Sequence, residues 1–482
     1  MSLALKRRGP SVLVKQWLGA GLAAGLAIVV ITGAELVVLK VVAGLAIFGA
    51  LLFWPMPTAL AVLVLVESSG NPQFQQVAPA ALTFGHRFYV PFHRLEPTLI
   101  LLLLAIVAEL MHRRDGKPML GGTALVPILT SCGLAASTSV WWIATTTETL
   151  RSRLLLEAVV TASPWLVFVA AILLVRLAAR NPSLRTELTW VLAGTLTIKL
   201  AIGLYELVAT GGGVTFEGTR HIIFYDPTVP LLGAAAFLGC YYTRESQSSA
   251  RVLRWWIGGM GALVLILSFR RSLWLMAVVG IIVGPLLERR DFMARRLVLA
   301  VIATVAALFV LPGDWVSPVI GRVSEVVTAI RSGSGSSTSN AALHLKDVTH
   351  GLRLVALHPI AGLGIRANQP TGLAIPATGS FYIHNDLLYV WLTQGLGAAV
   401  MLVALFVSLA RRGWEVIAAR PQSAFDAGAA ATVVFLVLPC MTAAYLSDTI
   451  RFPAVVGLAA GLTLDRVMTM RAGSASRAAS SA

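Results

Sequence analysis

The chain has 482 residues, of which 57% are hydrophobic and 12% are charged, and its mean hydropathy is +0.80. A soluble domain carries about a quarter charged residues, so this chain has too few charges to cover a water-facing surface. The net charge of +16 does not indicate a nucleic-acid partner, because the Lys and Arg residues stand in short clusters between apolar runs. These features exclude a soluble protein and indicate a membrane protein whose basic loops contact anionic membrane lipids.

About fourteen apolar runs follow one another along the chain, and most have the length that a helix needs to cross the ~30 Å hydrocarbon layer. The candidate spans are roughly 16–34, 36–54, 56–67, 96–111, 119–137, 155–178, 187–209, 228–243, 253–269, 272–288, 296–312, 384–410, 425–445 and 452–470. The run 56–67 is short enough to be re-entrant. The pattern predicts an all-α, polytopic membrane protein of about 12–14 transmembrane helices.

Basic clusters indicate how the predicted bundle is oriented. If successive spans cross the membrane in alternating directions, all these clusters lie on the same side of it. The positive-inside rule identifies that side as cytoplasmic, and both termini then lie there as well. The domain prediction is transmembrane helices 1–11 in residues 1–312, a periplasmic loop domain in 313–383, the last three helices in 384–470, and a disordered cytoplasmic tail in 471–482. Within the loop, the segment Ala341–Ala356 is predicted to form an amphipathic helix whose apolar face carries Leu343, Val348, Leu352 and Val355.

Arginines stand at two outer turns, against the usual bias of positive charge towards the cytoplasm. Arg220 lies in GTRHIIFYDP, and Arg270 and Arg271 lie in LSFRRSLW, where two spans meet. Such an arginine is costly unless it meets an anion or a carboxylate, and its planar guanidinium matches phosphate oxygens. A structural salt bridge or a contact with lipid head groups is the alternative.

Two histidine motifs follow on the same side. His384 and Asn385 open a predicted helix, where a neutral imidazole can accept a proton from an alcohol, as a general base does. The alternative is that either residue only caps the helix. His358 begins HPIAGLGIR, in which Gly362 and Gly364 allow a backbone to approach a ligand closely, or form a tight loop without one.

Several catalytic motifs are absent from the sequence. It contains no DxD, no HExxH, no Walker loop and no GxSxG in the expected context. These absences argue against a nucleotide-driven pump, a zincin and a serine hydrolase, and they remove the usual carboxylate site of a metal-dependent glycosyltransferase. We therefore expect neither a metal nor a cofactor.

Together, the motifs resemble those of the O-antigen ligase and O-antigen polymerase superfamily of bacterial envelope glycosyltransferases, in matching order over roughly residues 185–410. The matching segments are Arg220 before Phe224, Asp226 and Pro227; Ser268–Ser272 with Arg271; His358–Gly364 as an HPxxGxG turn; and His384–Leu388 as an HNxxL helix start. The family usually has an arginine at the start of its loop helix. Here His344 takes that place, with Lys346 nearby.

The resemblance implies a GT-C-like fold in the bacterial inner membrane, with one large periplasmic loop and a periplasmic active site. It implies a metal-independent, inverting glycosyltransferase in which Arg220 and Arg271 clamp the diphosphate of an undecaprenyl-diphosphate-linked glycan and His384 activates the acceptor hydroxyl. The expected substrate-binding residues are Arg270, Arg366, His344, Lys346, His358 and Asn385.

Several functions stay open at this point. A ligase would transfer a finished glycan to lipid A core, whereas a polymerase would extend a growing O-antigen or exopolysaccharide chain. The single dominant loop favours the ligase, and a protein O-oligosaccharyltransferase is less favoured. A transporter or flippase for a lipid-linked or anionic solute would use the same arginines, but the sequence shows no repeated halves. A structural membrane scaffold is the remaining alternative.

Overall fold

The structure is a computed structural model, and it describes fourteen segments of the chain. The described residues are 37–65, 97–112, 122–145, 154–181, 183–210, 213–214, 220–221, 227–243, 248–268, 270–286, 340–364, 383–421, 423–448 and 451–481. The predicted spans 16–34 and 296–312 lie outside them, as does much of the predicted loop domain 313–383.

Helices form nearly all of the described structure. They are α1 Val37–Phe53, α2 Pro55–Leu65, α3 Pro97–His112, α4 Gly122–Thr145, α5 Leu154–Ala178, α6 Leu184–Thr210, α7 Thr228–Tyr242, α8 Ser248–Leu267, α9 Arg271–Leu286, α10 Asn340–Leu357, α11 Asp386–Gln394, α12 Leu396–Ala418, α13 Ala424–Phe435, α14 Val437–Cys440, α15 Tyr445–Asp448 and α16 Arg451–Ser481. Two short strands, β1 Gly213–Val214 and β2 Arg220–His221, pair in antiparallel fashion between α6 and α7.

Four of the described helices are long and apolar enough to cross a membrane. The stretches concerned are Ala124–Trp141 in α4, Leu184–Ala209 in α6, Leu396–Ala418 in α12 and Arg451–Ser476 in α16. Shorter apolar helices of 10–17 residues accompany them. Since the backbone groups of these apolar segments are satisfied within helices, the predicted all-α, polytopic membrane architecture is confirmed.

The core of the bundle is centred on α5 and α16. In α16, 78% of the membrane-length window is buried, against 39% in α12, so α16 is central and α12 is more peripheral. Gly457 and Gly461 let α16 approach α5 closely: a Cβ at Gly457 would lie 2.5 Å from the Phe168 carbonyl oxygen, and one at Gly461 would lie 2.7 Å from the Val175 Cβ. This is the small-residue spacing by which membrane helices pack tightly without a hydrophobic driving force.

Two predicted spans are wrong as single helices. The span 384–410 is divided at Gly395, whose φ of +86° is a left-handed conformation that ends α11 before α12 begins. The span 425–445 is divided at Leu436, so that α13 and α14 are separate and α15 follows. Hydropathy does not reveal these breaks, because the residues on both sides of them are apolar.

The predicted disordered tail 471–482 is also wrong over most of its length, because α16 continues as a helix to Ser481. Alanine, which is frequent in this segment, is the best helix former. The Arg471 guanidinium also donates to Glu415 at 3.0 Å, which ties the extension of α16 to α12.

Paired charges lie at the same end of the bundle as Glu415. Arg185, in the first turn of α6, donates through Nε to both carboxylate oxygens of Asp426 at 2.9 and 3.0 Å, and through Nη2 to Asp465 at 2.9 Å. Because the 23 residues of α12 extend about 34 Å, Gly395 and the segment before it lie at the opposite end of the bundle. That opposite end holds the histidine motifs.

Candidate active site at the start of helix α11

His384 lies directly before the N-cap of α11 and is held by a carboxylate from α10. Its Nδ1 is 2.8 Å from Oδ2 of Asp347. The Asp347 side chain is 8% exposed and the His384 ring is 28% exposed. Because an ionised carboxylate only accepts hydrogen bonds, this contact favours the neutral tautomer of His384 that carries its proton on Nδ1 and its lone pair on Nε2. This tautomer is the one that a base acting through Nε2 requires.

Helix α10 reaches α11 through a small apolar cluster. Leu354 and Val355 of α10 pack with Ile383, Leu388 and Leu392. The helix that the sequence predicted here is confirmed, and Val355 is buried as expected. Leu352 was predicted to lie on the apolar face, but its side chain is 53% exposed. The buried face instead includes Asp347, which is in phase with Leu354 two turns later.

Asn385 forms the N-cap of α11. Its side-chain oxygen accepts from the Leu388 N–H at 3.0 Å, and its amide nitrogen donates to the Met441 carbonyl at 3.2 Å. The residue is 2% exposed. The capping alternative therefore describes the contacts of Asn385, which fixes the first turn of α11 beside His384.

Asp386, which was not among the sequence candidates, links α11 to α15. Its carboxylate accepts from the Leu446 N–H at 3.0 Å, from the Ser447 N–H at 2.9 Å and from the Ser447 hydroxyl at 2.5 Å. The side chain is completely buried and precedes α12, the neighbouring helix that is long enough to cross a membrane. Burial raises the pKa of Asp386 to about 6, and the donors from Leu446 and Ser447 oppose that rise.

The other end of α15 contacts the start of α9, where the arginine pair lies. The hydroxyl oxygens of Tyr445 and Ser272 are 3.4 Å apart. Arg271 is the first residue of α9, and the Arg270 carbonyl accepts from the N–H groups of the following helical turn, at 3.1 Å each. The segments that carry Arg271 and His384, 113 positions apart in the chain, are thus both joined to α15.

The HP turn after α10 packs against the junction of α11 and α12. Gly362 has a φ of +72°, and a Cβ there would lie 2.6 Å from the Leu392 carbonyl oxygen. The Trp391 indole N–H donates to the Pro359 carbonyl at 2.7 Å. The Gly362 backbone therefore approaches a neighbouring helix rather than a ligand, as in the tight-loop alternative. The His358 side chain is exposed.

The remaining candidates are described only in part. Arg220 is in β2, where its backbone pairs with Val214, and His344 and Lys346 lie in the first two turns of α10. The side chains of these three residues and of Arg271 lie outside the described structure, as does Arg366 altogether. Within the part of the chain that the structure describes, no three His, Cys, Asp or Glu side chains are grouped so that they could hold a metal ion.

Asp347 and Asp386 are the site residues that sequence reasoning missed. Asp347 gave a detectable signal, because it is an acidic residue in phase with the buried face of an amphipathic helix. The only sequence signal for Asp386 was its position directly after His384 and Asn385. Its hydrogen-bond partners lie about 60 residues further along the chain.

These features define a multi-pass membrane protein with a polar site at one end of its helical bundle. Residues 256–403 match the family model described as O-antigen ligase. The match agrees with the resemblance to the O-antigen ligase superfamily that the motifs predicted, and it supports a ligase-like membrane glycosyltransferase in general terms. A search of curated proteins finds no match.

The family match covers less than a third of the chain, from α8 into α12. It includes the arginine pair at the start of α9, the helix α10 and His384, but it does not include Arg220. The similarity to this family therefore lies in the part of the chain that contains the Asp347–His384 pair.

Proposed function

We propose that the protein moves a glycan from an undecaprenyl-diphosphate carrier to an acceptor hydroxyl at the periplasmic face of the bacterial inner membrane. The observation that carries this proposal is the hydrogen bond between His384 and Asp347, at a helix start that α15 joins to the start of α9, where Arg271 is the first residue. A base with a defined tautomer beside fixed positive charge is what this transfer needs.

The proposed reaction is a direct displacement. The acceptor O–H gives its proton to Nε2 of His384 while its oxygen attacks the anomeric carbon of the donor sugar. The bond between that carbon and the diphosphate oxygen breaks, and undecaprenyl diphosphate leaves with the electron pair. Attack on the face opposite to the leaving group inverts the anomeric configuration.

Arginines supply the charge that the leaving group requires. Arg271 and Arg220 bind the diphosphate oxygens, with help from Arg270 or Arg366, and stabilise the negative charge that develops there. Because guanidinium groups stay protonated, this clamp performs the task that a divalent metal performs in other transferases. The reaction therefore proceeds without a metal or a cofactor.

Three of the other candidates bind substrate around this centre. His344 and Lys346, in the first turns of α10, take the place of the family's arginine near the phosphates. His358 faces outward beside the same helix and contacts the acceptor glycan. Asn385 acts through the fold, since both ends of its amide are engaged by Leu388 and Met441.

The acceptor distinguishes the two functions within the superfamily. A ligase passes the glycan to lipid A core, whereas a polymerase adds it to a growing glycan. We favour the ligase, because the family match is to the O-antigen ligase domain and one large loop dominates the outer side in the sequence.

The test uses the purified full-length protein in lipid nanodiscs with an undecaprenyl-diphosphate-linked glycan. Lipid A core and free repeat-unit carriers are offered separately as acceptors, and products are separated by gel and mass spectrometry. We expect a heavier lipid A core and release of undecaprenyl diphosphate. A glycan ladder on the carrier lipid would instead identify a polymerase. Binding or passage of the donor across the bilayer with no transfer to any acceptor would refute the proposal in favour of a transporter.

A further inference from the structure

We infer that Asp347 is a positioning residue for the reaction: its carboxylate fixes the tautomer of His384 and stabilises the imidazolium formed when that ring takes the acceptor proton. This inference rests on the proposed function. It gives a role to a residue of the extramembrane loop, whereas the motifs pointed only to the histidine.

The burial of Asp347 supports this role. The Asp347 side chain is 8% exposed, and a carboxylate removed from water is costly unless it is paired and hydrogen-bonded. Within the described part of the chain, the partner of this carboxylate is the His384 ring, at 2.8 Å. Docking of α10 on α11 has an independent cause, because Leu354 and Val355 pack with Leu388 and Leu392. An apolar residue at position 347 would serve that packing equally well.

The position of the Asp347 carboxylate relative to the His384 ring also supports this role. Asp347 contacts Nδ1, and the hydrogen bond at that atom holds the proton there and leaves the lone pair on Nε2. The ring is 28% exposed, whereas the carboxylate behind it is nearly covered. The carboxylate thus lies on the inner side of the ring, where it opposes the positive charge that arises when Nε2 is protonated.

Asp347 and His384 come from different parts of the chain. Asp347 belongs to α10, within the segment predicted as the outer loop, and His384 belongs to the start of α11 in the bundle. The base is therefore complete only when α10 is docked. Substitutions that weaken the apolar contact between α10 and α11 are expected to lower the transfer rate, because they separate Asp347 from His384.

The test compares Asp347→Asn with Asp347→Glu in the transfer assay, with rates expressed per folded protein after size-exclusion chromatography. An asparagine can present its NH₂ group to Nδ1 and so favour the tautomer with the proton on Nε2. We expect kcat to fall by about 10²-fold with KM changed less than about threefold, since the residue acts on the proton transfer and not on binding. Asp347→Glu keeps a carboxylate and is expected to retain a larger share of the rate.

The double variant Asp347→Asn/His384→Ala separates positioning from general damage. If Asp347 acts through His384, the double variant is no slower than His384→Ala alone. The matched control is Glu415→Gln, which makes the same change at the opposite end of the bundle and is expected to keep the wild-type rate.

The outcomes are distinguishable. If His384→Ala abolishes transfer but Asp347→Asn matches the wild type, the role of Asp347 is refuted and the proposed function stands. Equal losses in the Asn and Glu variants, or a further loss in the double variant, would also overturn the inference. If His384→Ala keeps the wild-type rate, the base assigned in the proposed function is wrong.

Discussion

Asp386 accepts hydrogen bonds from both the backbone N–H and the hydroxyl of Ser447, at 2.9 and 2.5 Å. This contact fixes the start of α11, two residues after His384, against the short helix α15. Tyr445 in α15 lies 3.4 Å from Ser272, which follows Arg271. The segments that bear the proposed base and the proposed phosphate clamp are therefore held by one turn of helix.

Removal of this carboxylate should loosen that connection. In Asp386→Ala, the N–H groups of Leu446 and Ser447 lose their acceptor while they remain in a buried region. We expect a loss of about 2–4 kcal/mol, because each buried donor left unsatisfied costs about 1–3 kcal/mol. Chemical unfolding in detergent measures this change in the free energy of unfolding. A loss below 0.5 kcal/mol would contradict the proposed connection, and Ser474→Ala at the far end of α16 is the control.

The same carboxylate should make stability depend on pH. Its pKa in the folded protein is about 6, above the ordinary value of 3.8, so the folded state holds the proton more tightly than the unfolded state. This contribution is complete below about pH 4 and is lost as the pH rises through about 6. From pH 5 to 7.5, the melting temperature of the wild type should fall by about 1–3 °C more than that of Asp386→Ala. Parallel pH profiles for the two proteins would show that this titration does not contribute.

The turn between α11 and α12 depends on a glycine. Gly395 has a φ of +86°, and a Cβ there would lie 2.5 Å from the Ile360 carbonyl oxygen. We expect Gly395→Ala to destabilise the protein by at least about 2 kcal/mol, because it adds a backbone clash to the cost of a left-handed conformation. Gly397→Ala is the matched control, since a Cβ there meets nothing within 4 Å and the residue lies in a helix. Equal stability of the two variants would refute the explanation of the break.

The stability of the charged cluster at the other end of the bundle, formed by Arg185, Asp426 and Asp465, should depend on an arginine at position 185. The Arg185 guanidinium bonds Asp426 and Asp465 at once, and Asp426 is 4% exposed. Arg185→Lys keeps the charge but cannot reproduce this fork, so we expect a loss on the order of 2 kcal/mol. Arg411→Lys is the control, because Arg411 is 75% exposed in its pair with Glu415 and should change stability by less than about 0.5 kcal/mol. If Arg185→Lys leaves the stability of the protein unchanged, the two-sided contact of the guanidinium adds nothing to that stability.

Hydropathy was sufficient to predict where most described helices lie. The span predicted at 96–111 is α3 at Pro97–His112, and the span at 228–243 is α7 at Thr228–Tyr242. Agreement is close because the membrane fixes the length of an apolar helix and forces its backbone groups to bond internally. Local composition therefore carries most of the information about these elements.

Hydropathy did not predict the helix breaks or the contacts between residues distant in the chain. Gly395 stands in an apolar stretch, and the need for a glycine arises from Ile360, 35 residues earlier in the chain. Asp347 meets His384 because α10 folds back onto α11, which no local pattern specifies. The motifs identified the histidine, whereas its partner depends on tertiary contacts.

The measurement that tests the central claim most directly is glycan transfer by His384→Ala and Arg271→Ala in the reconstituted assay, with His112→Ala and Arg411→Ala as matched controls. His112 ends α3, on the side that the predicted topology makes cytoplasmic, and Arg411 lies in the half of α12 that is further from α11. We expect the first two variants to insert normally into the membrane and to lose transfer by at least about 10²-fold, while the controls keep the wild-type rate. Wild-type transfer by either His384→Ala or Arg271→Ala would contradict the account.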